Sequence, residues 1–149
     1  MEVLLNNDTC IEHKKQVVST ASCNYGSKTR YELNNLSKYP ISKIDMDCVF
    51  NTNEDEKCDY AFIIEATDKT VVIFIELKDS KLTKAASQIS TTIDRCNLKV
   101  NEQIINARIV LTSTHRPDID SSQVRNLKEK IKRFGGTVDY KTRIIKENI

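Results

Sequence analysis

The sequence predicts an α/β domain in which a three-strand meander and a crossover helix build a mixed central sheet with flanking helices. Three observations lead there. Apolar residues alternate from Ile41 to Phe50, the period of a strand with one buried face. Val71-Val72-Ile73-Phe74-Ile75 is a continuous apolar run of strand length. From Lys81 the period lengthens, with Leu82, Ala85, Ala86, Ile89, Ile93 and Cys96 at helical spacing. With 149 residues, 39% of them hydrophobic, the chain suits one domain with a sizeable core (residues 1–149), and no Pro/Gly-rich linker or repeat divides it.

Taken in order, Thr9-Cys10-Ile11-Glu12 fits a capping box and Ile11, Val17, Val18 and Ala21 follow at roughly helical spacing, which predicts a first helix over 9–22. Asn24-Tyr25-Gly26-Ser27 ends it, and Tyr31 to Leu36 reads as a short helix. Ile41 to Phe50 is the first strand, with Ile44, Met46, Cys48 and Phe50 on one face. Asn51 to Glu56 is a turn, and strands over 58–65 and 70–77 joined around Thr67-Asp68-Lys69 complete the meander. The amphipathic helix from Lys81 packs on this sheet, and Ala107 to Thr112 is a short fourth strand. Ser121 to Phe134 is a helix with Val124, Leu127, Ile131 and Phe134 inward, stopped by Gly135-Gly136. The tail from Thr137 to Ile145 reads as an edge strand. The predicted order is α-β-β-β-α-β-α-β.

The five cysteines, Cys10, Cys23, Cys48, Cys58 and Cys96, are odd in number and form no CxxC pair, which predicts reduced thiols, mostly filling the core. Neither a secretory apolar segment nor a membrane-length stretch is present, so the expected protein is soluble and cytoplasmic, without a membrane partner. Net charge is +2, but residues 44–79 carry −7 and the rest +9. From Ser121 onward the local balance is +5, suited to a phosphate backbone or simply to a solvated helix face.

The acids concentrate around one constellation. Asp59 heads the middle strand of the meander, and the third strand runs directly into Glu76-Leu77-Lys78. Successive side chains of a strand point to opposite faces, so Glu76 and Lys78 share a face while Leu77 turns into the core. If the preceding strand pairs alongside, Asp59 lies beside them. Spacing alone is weak, since Glu12-His13-Lys14 repeats the ExK pattern. The apolar run before it, the Asp on the neighbouring strand and the following helix bearing Gln88 make the context far more specific. The competing reading is a same-face surface ion pair beside an unrelated turn acid.

On these residues the chain resembles the PD-(D/E)xK nuclease superfamily, the restriction-endonuclease-like fold. Cys58-Asp59 stands where Pro-Asp is usual, and Glu76-Leu77-Lys78 supplies the second element. The string Phe74-Ile75-Glu76-Leu77-Lys78-Asp79-Ser80-Lys81-Leu82, continuing through Ala85 to Gln88-Ile89, is similar to small bacterial members reading "FIELKG…L…A…QI". Asp79 replaces their glycine and adds negative charge beside the site. The resemblance runs from about Ile41 to Ile145, its motifs from 58 to 89, and it implies a restriction-endonuclease-like core.

The residue types suit phosphodiester hydrolysis, which needs an activated water, neutralised charge on the phosphorane and support for the leaving oxygen. Asp59, Glu76 and the Leu77 carbonyl are hard oxygen ligands for Mg²⁺ or Mn²⁺, forming a partial cage that leaves room for water and phosphate. Lys78 would orient or deprotonate the water, and Gln88 is placed to hydrogen-bond the water or Lys78. Glu12, Glu32 and Asp47 are further candidate acids, and Asp45 is read as facing water. Lys43, Lys81 and Lys84 flank the site as nucleic-acid contacts. The expected function is a metal-dependent endonuclease acting on DNA, and cutting both strands of a duplex would require a homodimer. An RNA-cleaving toxin or effector domain with the same residues and a non-catalytic nucleic-acid-binding or regulatory module are the alternatives. Cys10, His13 and Cys23 match no standard zinc spacing. His115-Arg116-Pro117 reads as a loop bounded by proline.

Overall fold

The structure is a computed structural model that describes residues 1–6, 8–14, 18–22, 29–50, 56–78, 81–113 and 120–149. After a short helix α1 (Glu2–Leu5) and a single 3-10 turn (Asp8–Cys10) come β1 (Ile11–Lys14), β2 (Val18–Ser22), β3 (Arg30–Asn34) and β4 (Ile41–Asp45). A one-turn helix α2 (Met46–Val49) leads to β5 (Tyr60–Glu65) and β6 (Thr70–Lys78), then α3 (Leu82–Arg95), β7 (Gln103–Leu111), α4 (Ser122–Arg133), β8 (Val138–Thr142) and β9 (Ile144–Asn148).

The central sheet has the order β1-β4-β5-β6-β7-β8, antiparallel up to β6 and parallel from β6 to β8. It is therefore mixed, with the expected meander as β4-β5-β6 and helices α3 and α4 carrying the crossovers between parallel strands. Both helices pack on one face, where Ala85, Ile89, Leu127 and Ile131 meet Val72, Phe74, Ile105 and Ile109. A smaller sheet, β2-β3-β9, covers the other face with Tyr31, Leu33 and Ile145 against Phe62, Ile73 and Leu77. Cover on both sides explains why β6 is apolar along nearly its whole length.

The helix expected over 9–22 does not form, nor does the α-first order built on it. Ile11 to Lys14 pairs with Ile41 to Ile44, and Val18 to Ser22 pairs with β3. The residues around Val17-Val18-Ser19-Thr20 are β-branched or hydroxylated and lose more in a helix than a few apolar coincidences recover. The expectation of reduced thiols fails for one pair, since Cys10 and Cys48 form a disulfide with Cα atoms 5.5 Å apart. Cys58 and Cys96 are free and buried, as read.

The short helix expected over Tyr31 to Leu36 does not form either; β3 runs from Arg30 to Asn34. Tyr31 and Leu33 alternate inward on β3, while Leu36 lies outside it and is 61% exposed. The strand expected to run to Phe50 stops at Asp45, whose side chain caps α2 by accepting the N–H groups of Asp47 and Cys48. The tail is two strands, with Arg143 at positive φ between them, so β8 edges the large sheet and β9 joins the small one. Helix α4 ends as expected. Gly135 takes φ 72° and donates to Lys132, and a Cβ on Gly136 would overlap the Ile105 carbonyl.

Candidate functional site

The site begins where β5 and β6 part. Tyr60 pairs with Ile75, and the Asp59 N–H also donates to the Ile75 carbonyl at 3.1 Å. Two residues of one strand thus face one of the other, as in a bulge, a device that re-aims the side chain it displaces. The Asp59 carboxylate then reaches along β6, and Oδ2 accepts the Leu77 N–H at 2.7 Å. Groups of one residue leave a strand on the same side, so the Leu77 carbonyl is directed to the side of Asp59, beyond the end of the β5 ladder.

Between Ile75 and Leu77, Glu76 points to the helix-covered face and is 0% exposed. Its Oε1 lies 2.6 Å from Nζ of Lys78, a side chain that is 26% exposed. Neither Glu76 oxygen completes a hydrogen bond of regular geometry with the described residues; Lys78 is its charge partner, and the Asp59 backbone adds a weaker favourable contact. Burial first, and the Asp59 charge second, push Glu76 up to about 8, against the pull of Lys78. Burial also raises Asp59, with the Leu77 N–H and Lys78 opposing it. Two carboxylates that resist joint ionisation beside one ammonium form a site that favours added positive charge or a shared proton.

The remaining expected residues fall in different places. Gln88 Nε2 donates to the Lys57 carbonyl at 2.9 Å. Lys81 and Lys84 are exposed and lie on one stripe of α3 with Gln88, at the side that borders this segment. Lys43 pairs across from Phe62, on the sheet face opposite Glu76, and lies over the Tyr60 ring with Glu12 at 3.8 Å. Asp47 pairs with Lys57 at 3.2 Å and adds charge near Asp59, while Asp45 is used as the α2 cap. Glu32 belongs to the smaller sheet, where Lys146 lies 2.8 Å away and holds its carboxyl below the usual range. The zinc reading loses Cys10 to the disulfide, and Cys23, the His13 side chain and His115-Arg116-Pro117 lie outside the described residues.

Two features were missed. Thr92, buried on α3, accepts the Cys58 N–H at 2.9 Å; the signal was a hydroxyl on the buried stripe four residues after Gln88. Arg108, 7% exposed, is held by Glu147 and by the carbonyls of Ala107 and Thr137, and Tyr31 donates to the same Glu147 at 2.7 Å. That network joins the two sheets on the face away from Glu76. Comparisons with protein-family models, curated proteins and solved structures return no match. No described helix is long and apolar enough to cross a membrane.

Proposed function

We propose that this chain is a divalent-metal-dependent nuclease of the PD-(D/E)xK type that hydrolyses phosphodiester bonds in DNA. The observation that carries the reading is the convergence of Asp59, the buried Glu76 and Lys78 at the end of β6. The β4-β5-β6 meander followed by α3 and parallel β7 is the arrangement expected of a restriction-endonuclease-like core, and supports it.

The residues fit a hard cation. A buried carboxylate whose oxygens complete no regular hydrogen bond among the described residues, a neighbouring carboxylate that raises it, and an adjacent carbonyl form an oxygen donor set. Among the described residues no three His, Cys, Asp or Glu come together; in this reading two carboxylates and a carbonyl act as a partial cage, with water and phosphate filling the remaining positions. When bound, Mg²⁺ or Mn²⁺ supplies charge neutralisation at the phosphoryl oxygens and a more acidic water. Asp59 is held rigidly by three backbone contacts, from its N–H to Ile75, from Met46 to its carbonyl and from Leu77 to its carboxylate. Lys78 is positioned by Glu76 to orient the attacking water and to offset charge building on the phosphorane. Lys81 and Lys84, exposed at the start of α3, are the cations this reading assigns to the phosphate backbone.

The test is incubation with supercoiled plasmid, single-stranded DNA, branched DNA and tRNA, each with Mg²⁺ or Mn²⁺. Metal-dependent DNA cleavage that disappears in Glu76→Ala and Lys78→Ala, with circular dichroism unchanged, is the expected result. Products from tRNA alone would move the assignment to RNA, and no cleavage under any condition would overturn it.

A further inference from the structure

We infer that Thr92 is a positioning residue for Asp59, acting by gripping the Lys57–Cys58 peptide plane together with Gln88. The inference rests on the nuclease reading only for the consequence it has on cleavage; the grip itself is a matter of geometry.

Lys57 O and Cys58 N belong to one peptide unit, and both are held from α3. Gln88 Nε2 donates to the Lys57 carbonyl at 2.9 Å, and Thr92 Oγ1 accepts the Cys58 N–H at 2.9 Å. Residues four apart on a helix are neighbours on its surface, so a single turn of α3 presents a donor and an acceptor to the two ends of one planar unit. The Thr92 hydroxyl has its own hydrogen engaged, donating to the Gln88 carbonyl at 2.8 Å. That bond leaves the oxygen lone pairs turned towards Cys58, and it ties the two gripping residues to each other. Thr92 is 0% exposed, so no water competes for the Cys58 N–H.

Asp59 is the next residue along the chain. With the preceding peptide plane locked, the freedom left to Asp59 is its own φ, ψ and χ angles, and the Ile75 and Leu77 contacts take those up. The β5–β6 ladder begins at Tyr60, and the peptide just before Asp59 is held from α3. Gln88 is thereby a positioning residue as well, through its Nε2.

The experiment compares wild type with Thr92→Val, which keeps the shape and removes the acceptor, Thr92→Ser, which keeps the acceptor, and Gln88→Ala. Amide hydrogen exchange by NMR reads Cys58 and Leu77, with Phe62 inside the β5 ladder as the internal reference. Mn²⁺ affinity by calorimetry and kcat on plasmid are measured alongside. In Thr92→Val, Cys58 and Leu77 should exchange at least about tenfold faster while Phe62 changes little. Mn²⁺ affinity and kcat should each fall by about tenfold to a hundredfold, with KM for DNA unmoved. Thr92→Ser should restore all of these. Unchanged Leu77 exchange in Thr92→Val, or Thr92→Ser behaving as Thr92→Val does, would overturn the inference. If wild type neither binds Mn²⁺ nor cleaves, the nuclease reading fails, and the Leu77 exchange still decides the grip.

Discussion

The Asp59 carboxylate occupies the position that a backbone acceptor would hold if β5 continued, taking the Leu77 N–H at 2.7 Å. A side chain thus finishes the ladder, and its charge acts on the neighbouring Glu76. The pairing ties the acid of one strand to the middle of the Glu76-Leu77-Lys78 element of the next, and it is the arrangement on which the predictions about the site depend.

Glu76 should make the protein less stable as pH rises. Its folded value is raised from 4.5 to about 8, so the folded state binds more protons than the unfolded chain between those limits. The associated stability is fully present below 4.5 and is lost by about pH 8, an effect on the order of a few kcal/mol. Glu76→Gln should remove this slope and melt several degrees higher than wild type at pH 8, while losing activity. Melting curves of the two proteins that stay parallel from pH 5 to 8.5 would contradict the assignment.

A divalent cation should reverse that penalty. At about a hundredfold excess over its dissociation constant, Mn²⁺ should stabilise wild type by roughly 2.7 kcal/mol at pH 8. Asp59→Asn should lose most of this shift, because one of two anionic ligands becomes neutral. Differential scanning fluorimetry with and without metal measures it, and equal shifts in both proteins would exclude Asp59 as a ligand.

Reduction should weaken the fold through the Cys10–Cys48 link. The bridge closes a sequence separation of 38, worth about 4 kcal/mol on the chain-entropy account. Dithiothreitol or Cys48→Ser should lower the urea midpoint, and after reduction the exposed Cys48 should be alkylated ahead of the buried Cys58 and Cys96. Mass spectrometry showing Cys48 alkylated without reductant would refute the bridge.

The Arg108 network should be a stability element alone. Arg108→Ala leaves Glu147 and two carbonyls without their buried partner and should cost about 3–5 kcal/mol by urea denaturation. Tyr31→Phe removes one hydrogen bond to Glu147 and should cost about 1–2 kcal/mol. Cleavage per folded molecule should be unchanged in Tyr31→Phe.

The meander from Ile41, the helices α3 and α4, the shared face of Glu76 and Lys78 and the inward turn of Leu77 were legible because each follows from a local period. Two or 3.6 residues per repeat is a property of the chain itself, and burial only selects which face is apolar. The first forty residues were not legible. Ile11 pairs with Ile44 and Arg30 with Ile144, and such distant partners decide strand over helix where local preference is weak.

At the site the sequence by itself determined the chemical types: two carboxylates, a lysine and an apolar run that carries them to a strand end. Only the tertiary structure decided where they stand. The bulge at Asp59, the α3 grip on the peptide before it, the disulfide and the placement of Lys43 on the far face are all contacts between residues remote in sequence. Periodicity reports which way a side chain leaves its own strand, and hydrogen bonds to other elements determine what it meets there.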